Sequence, residues 1–271
     1  MNMVYVTPDN PFSRSAHEIR ILVGKDECKF IKDKTAPYEH SKDKFLINWG
    51  CKGTHVSGYA KDGPVINPTA AIKKLDNRMG MYNTLTKAGI NNPGVLTAAG
   101  AEKIMDSGGK VLSRFRTRKE EASDIIFLNS ARDVRGVYEI QDYFLTEYIP
   151  KTVEYRLHVF DRNVIAQEAK TTLSVDDAGK EVEQKFLDWR IRTRRNGFIW
   201  KSISDKQIDK TMTTMAIESV QSIKDLTFGA VVLMYSMSKD KYTVVDIEST
   251  PVIYDEEVSK AYAHAIKRMA K

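Results

Sequence analysis

Cysteine is nearly missing from this chain. Cys28 and Cys51 are the two in 271 residues, and no Cys/His cluster surrounds them. A disulfide framework and a zinc pattern are therefore excluded, which leaves two core or edge thiols. No apolar run approaches the roughly 18 residues that a membrane span needs. The opening MNMVYVTPDN lacks the basic-then-apolar layout of a secretory signal, so a cytoplasmic location is expected. Internal repeats and low-complexity tracts are absent. The glycine-containing stretch GCKGTHVSG (50–58) lacks the spacing of a GxxxxGK-S/T phosphate loop. His17, His40, His55 and His264 show no metal spacing, and no convincing nucleophilic triad stands out.

What is present is ordinary for a globular protein: 42% hydrophobic, 29% charged, mean hydropathy -0.41. A chain of this length buries a substantial core, in roughly one to three sub-domains. The net charge of +6 favours an anionic ligand without establishing nucleic-acid binding. Basic residues are dense in RFRTRK (114–119) and WRIRTRR (189–195).

Periodicity and punctuation predict the elements. Short strands are expected at 3–6, 28–31 and 45–49, with a helix over 14–23 capped by Ser13. Asn67, as N-cap, and Pro68, at the first helical position, open a helical run to about Lys87 that Gly80 weakens or splits. A helix at 98–107 and a strand at 111–115 follow. The polar segment 116–136, with its apolar island IIFL (125–128), reads as a hairpin flap or an exposed loop. Asn196-Gly197 predicts a turn between two runs that pair as a hairpin. Ser204 and Gln207 form a capping box for a helix over 205–224, with Met212, Met215 and Ile223 on its apolar stripe. FGAVVLMYSM (228–237) reads as a central strand with 242–250 as its hairpin partner. Pro251 ends that ladder, and a helix covers 255–269.

The chain is organised around Tyr143–Thr171, which reads as three strand segments. Glu154, Arg156 and His158 alternate with Tyr155, Leu157 and Val159, so one face is ionisable and the other apolar. Glu168 and Lys170 repeat the device, and 242–248 is expected as a second acidic strand facing it. Asp246 and Glu248 stand two apart, so both carboxylates point to one face. Such a pair repels unless a cation sits between, and its oxygen donors suit magnesium held jointly with nucleotide phosphates. The same spacing also fits a plain exposed strand face. Glu154 can accept from ribose hydroxyls. Arg156, His158, Lys170 and Arg114 are candidates for phosphate, and the Glu154, Arg156 and His158 row fits a salt-bridged strand face as well. Arg192, Arg194 and Arg195 either bind phosphate or a carboxylate, or solvate a hairpin.

The order of these elements resembles the ATP-grasp proteins, close to RimK-like and phage-type carboxylate–amine ligases. The likeness runs over roughly residues 65–253. It is carried by NPTAAIKKLDNRMGMYNTLTKAGINNPG (67–94), VLSRF (111–115), TEYIPKTVEYRLHVF (146–160), AQEAK (166–170), RTRRNGFIW (192–200), and FGAVV followed by VVDIESTP. The resemblance implies an α+β chain: a small N-terminal α/β domain (1–65), a first ATP-grasp subdomain (66–142) and a second with the metal and phosphate site (143–271). It implies ATP and Mg2+ as cofactors. Glu147, with Tyr148 and Ile149, would lie at adenine, and Glu154 at the ribose. Arg78 and Arg114 would meet phosphates, Arg156, Lys170 and Arg192 the phosphates and acyl phosphate, and Asp246 and Glu248 the metal.

Three departures stand out from the family pattern. The usual GAVD is GAVV, so Val232 replaces a metal-binding aspartate. The usual E-x-N-x-x-P is D-I-E-S-T-P, so Asp246 replaces a glutamate and Glu248 an asparagine. No glycine lies between Phe115 and Arg135, where the family's phosphate-covering loop contains one. The activity implied is ATP-dependent amide formation through an acyl phosphate, on small-molecule or peptide carboxylates and amines, in the cytoplasm (the host's, if phage-encoded). No membrane or nucleic-acid partner is expected, and a homo-oligomer is left open. The alternatives are a nucleotide-binding relative without ligase activity, motivated by Val232 and the glycine-free loop, and a nucleic-acid-associated protein using the two basic patches.

Overall fold

The computed structural model describes residues 3–8, 13–31, 41–42, 44–59, 61–117, 125–151, 153–174, 187, 189–194 and 196–271. The chain opens with a parallel sheet in the order β2-β1-β3-β4, built from β1 (Met3–Pro8), β2 (Cys28–Phe30), β3 (Lys44–Trp49) and β4 (Val65–Ile66). Helix α1 (Arg14–Val23) starts where Ser13 accepts from the Ala16 amide, as its sequence predicts. The stretch expected as a glycine loop contains a short helix, α2 (Thr54–Tyr59).

The expected run from Asn67 is two helices, α3 (Thr69–Asp76) and α4 (Arg78–Lys87), broken at Asn77 rather than Gly80. The Asn77 side chain caps α4 by accepting from the Gly80 amide, and the Arg78 amide donates outward to Arg116 O at 2.8 Å. Asn67 is not the cap. It sits at φ 53, and its carboxamide accepts from the Thr227 and Phe228 amides and donates to Phe228 O. One amide side chain matches a strand's N–H and C=O at once, which fastens α3 to a segment far along the chain.

Helix α5 (Ala98–Asp106), β5 (Val111–Phe115), β6 (Ile125–Leu128), α6 (Ala131–Tyr138) and β7 (Tyr143–Glu147) form a small antiparallel sheet, β6-β5-β7, backed by two helices. Ala101, Val111, Leu128, Val134 and Leu145 make its core. Of the segment 116–136, residues 118–124 lie outside the described residues, while its apolar island is β6, paired with β5 as a hairpin, and α6 follows.

The large sheet has the antiparallel order β10-β9-β8-β11-β12. Its strands are β8 (Val153–Phe160), β9 (Asn163–Thr172), β10 (Phe198–Ser202), β11 (Phe228–Ser236) and β12 (Lys241–Glu248). Leu157, Val159, Val231, Leu233 and Ile247 line its back, against Met212, Ala216 and Val220 of α7 (Lys210–Ser222) and Tyr82 and Leu85 of α4. Each fully buried Val, Leu, Ile or Met among them contributes about 1.5–3 kcal/mol. Helix α8 (Glu256–Met269) returns to pack with α1 and the N-terminal sheet.

Four expectations are corrected here. Strand β7 pairs with β5 in the small sheet, so the break in pairing falls after Glu147. β12 lies beside β11 in the same sheet as β8 instead of facing it. Asp209, not Ser204, caps α7, with the Met212 amide donating to Oδ1 at 2.8 Å. Ser204 precedes a 3-10 turn and makes no side-chain cap bond. Residues 189–194 form no strand with β10, which pairs with β9. Side chains occupy their carbonyls: Lys151 Nζ donates to Arg190 O and Asn196 Nδ2 to Ile191 O.

Candidate functional site

The alternation in β8 works as its sequence predicts. Leu157 and Val159 enter the core behind the sheet, and Glu154, Arg156 and His158 turn to the front. Register then assembles one row from four strands, with Glu168 opposite Arg156, Arg156 opposite Val232, and Val232 opposite Asp246. A neighbouring row sets His158 opposite Ala230 and Ala230 opposite Glu248. Trp200 on β10 lies opposite Lys170 on β9.

This front and the small sheet bound a cleft. The small-sheet side supplies Leu112, Arg114 and Ile125, and the crossover supplies Glu147, Tyr148, Ile149 and Lys151. The large sheet gives Glu154, Lys170, Trp200, Val232, Met234, Asp246 and Glu248, while Arg78 and Arg190–Thr193 close the sides. Of the eleven residues singled out for ATP, metal or chemistry, ten line this cleft; Arg156 does not. Lys151, Arg190, Thr193 and Trp200 also line it, although the sequence motifs that contain them single out none of the four. Lys151 carried a usable signal, since it stands three residues before Glu154 in the same turn-to-strand entry.

Met234, Ile149, Leu112 and Ile125 give the cleft an apolar part near the β11–β12 turn. There Lys239 Nζ pairs with Glu147 Oε1 at 2.7 Å and bridges the two layers. The Tyr148 ring packs edge-on against Phe127, at 5.0 Å between centroids. Further along β11, towards Val232 and Ala230, the lining becomes ionic. Arg78 lies 3.8 Å from Asp246, and Arg114 donates to Thr146 Oγ1 at 3.1 Å. Glu154 is flanked by Lys151 at 3.0 Å and Arg192 at 3.9 Å. Burial pulls the Lys151 ammonium below its ordinary pKa, against the pull of Glu154. Burial takes Lys170 down to about 8, opposed by Glu154 and Glu248.

Arg156 takes the salt-bridged alternative rather than the phosphate-facing one. Its side chain is 2% exposed, Nε donates to Glu168 Oε2 at 2.6 Å, Nη1 to Glu248 at 3.2 Å and Nη2 to Val252 O at 3.0 Å. All three nitrogens are used inside the protein, so this guanidinium holds Glu248 from behind the cleft. Behind it, His158 Nε2 donates to Glu168 Oε2 at 2.8 Å and Nδ1 accepts from the Tyr262 hydroxyl at 3.1 Å. Burial pushes the imidazole pKa down, so His158 is neutral. Burial alone would raise Glu168, but His158 and Arg156 hold it below the usual carboxylate range.

The donor set fits a hard cation shared with a ligand. Among the described residues no three His, Cys, Asp or Glu side chains converge as a metal cage. Asp246 and Glu248 offer oxygens from one face of β12, which suits magnesium bound through one or two carboxylates plus phosphates. Val232, directly opposite Asp246, presents only an alkyl surface there.

No protein-family model matches the chain, and no curated protein does. Solved structures do match it over nearly their full lengths. The ATP-grasp ligase PsnB, complexed with minimal precursor, Mg and ADP, aligns at 10% identity over 100% of this chain and 97% of that one, with a TM-score of 0.69. The RimK domain protein ATP-grasp from Sphaerobacter thermophilus aligns at 14% identity over 98% of both chains, with a TM-score of 0.64. D-alanine–D-alanine ligase from Bacillus anthracis, complexed with ATP, aligns at 11% identity over 100% of this chain and 97% of its own, with a TM-score of 0.67. With two β-layers around an ionic cleft and these full-length likenesses, the chain has the ATP-grasp fold.

Proposed function

We propose that the protein is an ATP-dependent carboxylate–amine ligase that acts on a peptide. The observation that carries this is the cleft itself. An apolar slot between the two β-layers leads directly into Arg78, Arg114, Lys151, Lys170 and Arg192 beside Asp246 and Glu248. The slot accommodates adenine, with Glu147, Tyr148 and Ile149 at its edge and Glu154 at the ribose. The cations take the triphosphate.

The substrate carboxylate oxygen attacks the γ-phosphorus, the bond to the β-γ bridging oxygen breaks, and ADP leaves. An amine then attacks the acyl carbonyl, phosphate departs with the bonding pair, and the nitrogen loses a proton as the amide forms. Carboxylate and phosphate repel, so the residues' work is neutralisation and alignment. Lys170, Arg192, Arg78 and Arg114 supply charge, and Asp246 and Glu248 would hold magnesium, which neutralises the phosphates when bound. Arg156 serves by orienting Glu248. The peptide class is supported by PsnB, which is also solved in complex with the precursor peptide PsnA2 and AMPPNP.

ADP release on adding a carboxylate peptide and an amine to the protein with Mg2+ and ATP, together with a hydroxamate on trapping with hydroxylamine, is the expected result. Absence of nucleotide binding by calorimetry would sink the reading. A second reading, nucleotide binding without ligation, is favoured by Val232 opposite Asp246, and ATP binding with no hydroxamate across a broad substrate panel would select it. The basic patches lend little to a nucleic-acid role, because Arg114, Arg190 and Arg192 line the cleft.

A further inference from the structure

Lys170 is an uncommon lysine for a cleft lined by four carboxylates, Glu147, Glu154, Asp246 and Glu248. Among the described residues its ammonium has no ion-pair partner within 4.0 Å. It has a ring instead, with Nζ lying 3.8 Å from the centroid of the Trp200 indole. Trp200 and Lys170 are direct cross-strand partners in β10 and β9, so sheet register sets the contact. The same indole carries the Arg156 guanidinium at 4.8 Å, and that group is anchored by Glu168, Glu248 and Val252.

The charged groups acting on Lys170 are Glu154 on β8, Glu248 on β12, Glu168 on its own strand and the opposing Arg156. A partly desolvated ammonium near carboxylates lowers its energy by pairing with one of them. Such pairing would remove the cation and the carboxylate from service together. The negative face of an indole compensates a desolvated ammonium without neutralising it.

We propose that Trp200 is a positioning residue of the cleft. Its indole face holds the Lys170 ammonium off Glu154 and Glu248, and so keeps an unneutralised cation for a phosphoryl or acyl-phosphate oxygen of the ligand. The inference rests on the ATP-ligase reading of this cleft. It explains why a large aromatic stands on the edge strand directly opposite Lys170.

The test compares Trp200→Ala, Trp200→Phe, Lys170→Met and the double variant Trp200→Ala/Lys170→Met by calorimetry with AMPPNP plus Mg2+ and with adenosine. Trp200→Ala weakens AMPPNP about tenfold, whereas Trp200→Phe, which keeps a ring face, stays within about threefold. Adenosine, which has no phosphate, changes by less than about twofold, and the double variant binds AMPPNP no worse than either single. In the unliganded protein, the pH midpoint for acetylation of Lys170 by acetic anhydride, read by mass spectrometry, stands at about 8 in the wild type. It stays there in Trp200→Phe and rises in Trp200→Ala towards the ordinary lysine value of about 10.4, as the ammonium finds water or a carboxylate. An equal loss in Trp200→Phe and Trp200→Ala overturns the proposal, as does an additive double variant or an unmoved midpoint in Trp200→Ala. A wild type that binds no AMPPNP refutes the ligase reading instead, and the acetylation comparison still decides the role of Trp200.

Discussion

Replacing Arg156 with methionine removes the cation from between Glu168 and Glu248. Arg156 is 2% exposed and Glu168 is 0% exposed, so solvent cannot screen the charge left behind. Glu168 would keep one donor, His158, and lose the 2.6 Å contacts from the guanidinium. Breaking a buried pair on one side costs about 3–5 kcal/mol. At about 2–4 °C per kcal/mol for chains near this size, the expected fall in Tm is on the order of 10 °C. Replacing both partners (Arg156→Met with Glu168→Gln) leaves no fully buried charge stranded, since Glu248 is partly exposed, so the double variant is expected to lose less than the two singles together. The loss also depends on pH. In Arg156→Met the stranded carboxylate favours a protonated His158 or its own neutral form. Either one raises proton uptake by the folded state, so the deficit shrinks as pH falls from 8 towards 5.5. Thermal and urea unfolding of the four proteins at both pH values measures this. A single-variant loss below about 1 kcal/mol, or strict additivity, would refute the assignment of Arg156 as a buried anchor.

Other outcomes follow from the same geometry. Lys170 has a folded pKa of about 8, below its unfolded value, so the unfolded chain binds more protons between the two. This group therefore makes stability rise with pH from about 8 to about 10.4, while affinity for AMPPNP falls over the same window as the ammonium is lost. A pH series of unfolding and calorimetry checks both signs. Asn67→Ala removes three bonds to backbone, two of them buried, and an amide suited to φ 53, so it is expected to cost about 2–3 kcal/mol in urea unfolding. Asp209→Ala is expected to cost about 1 kcal/mol and Ser204→Ala less than about 0.5, because the cap bond belongs to Asp209. Asp246→Asn should weaken AMPPNP binding in the presence of Mg2+ far more than in EDTA, as calorimetry with and without metal would show.

Much of the fold was legible in the chain because its signals are local. Ser13 caps α1, the alternation at 153–160 predicts a two-faced strand, and the apolar run at 228–236 predicts a strand with neighbours on both edges. The residues that line the cleft were legible because the charged face of a half-buried strand has a period of two, which marks Glu154, Lys170, Asp246 and Glu248 without any contact information. The Asn67 and Ser204 caps failed because a capping residue has competing uses, and only the packed chain offers them. Asn67 found the backbone at Thr227 and Phe228, and Asp209 took the cap three residues ahead of Met212. The hairpin at Asn196-Gly197 failed for a similar reason, since Lys151 and Asn196 claim the carbonyls that a ladder would need.

The sequence by itself determined that this protein is α+β, that one sheet face is ionic, and which types of charge stand on it, since side-chain alternation and strand length are properties of neighbours in the chain. Tertiary structure alone decided which charges remain for a ligand. Arg156 and Lys170 are equivalent on paper, yet the register of β8, β9 and β10 buries one between Glu168 and Glu248 and lays the other on Trp200. Whether a cation is neutralised depends on partners many residues away, and only strand pairing and the return of β12 to β11 bring those partners within reach.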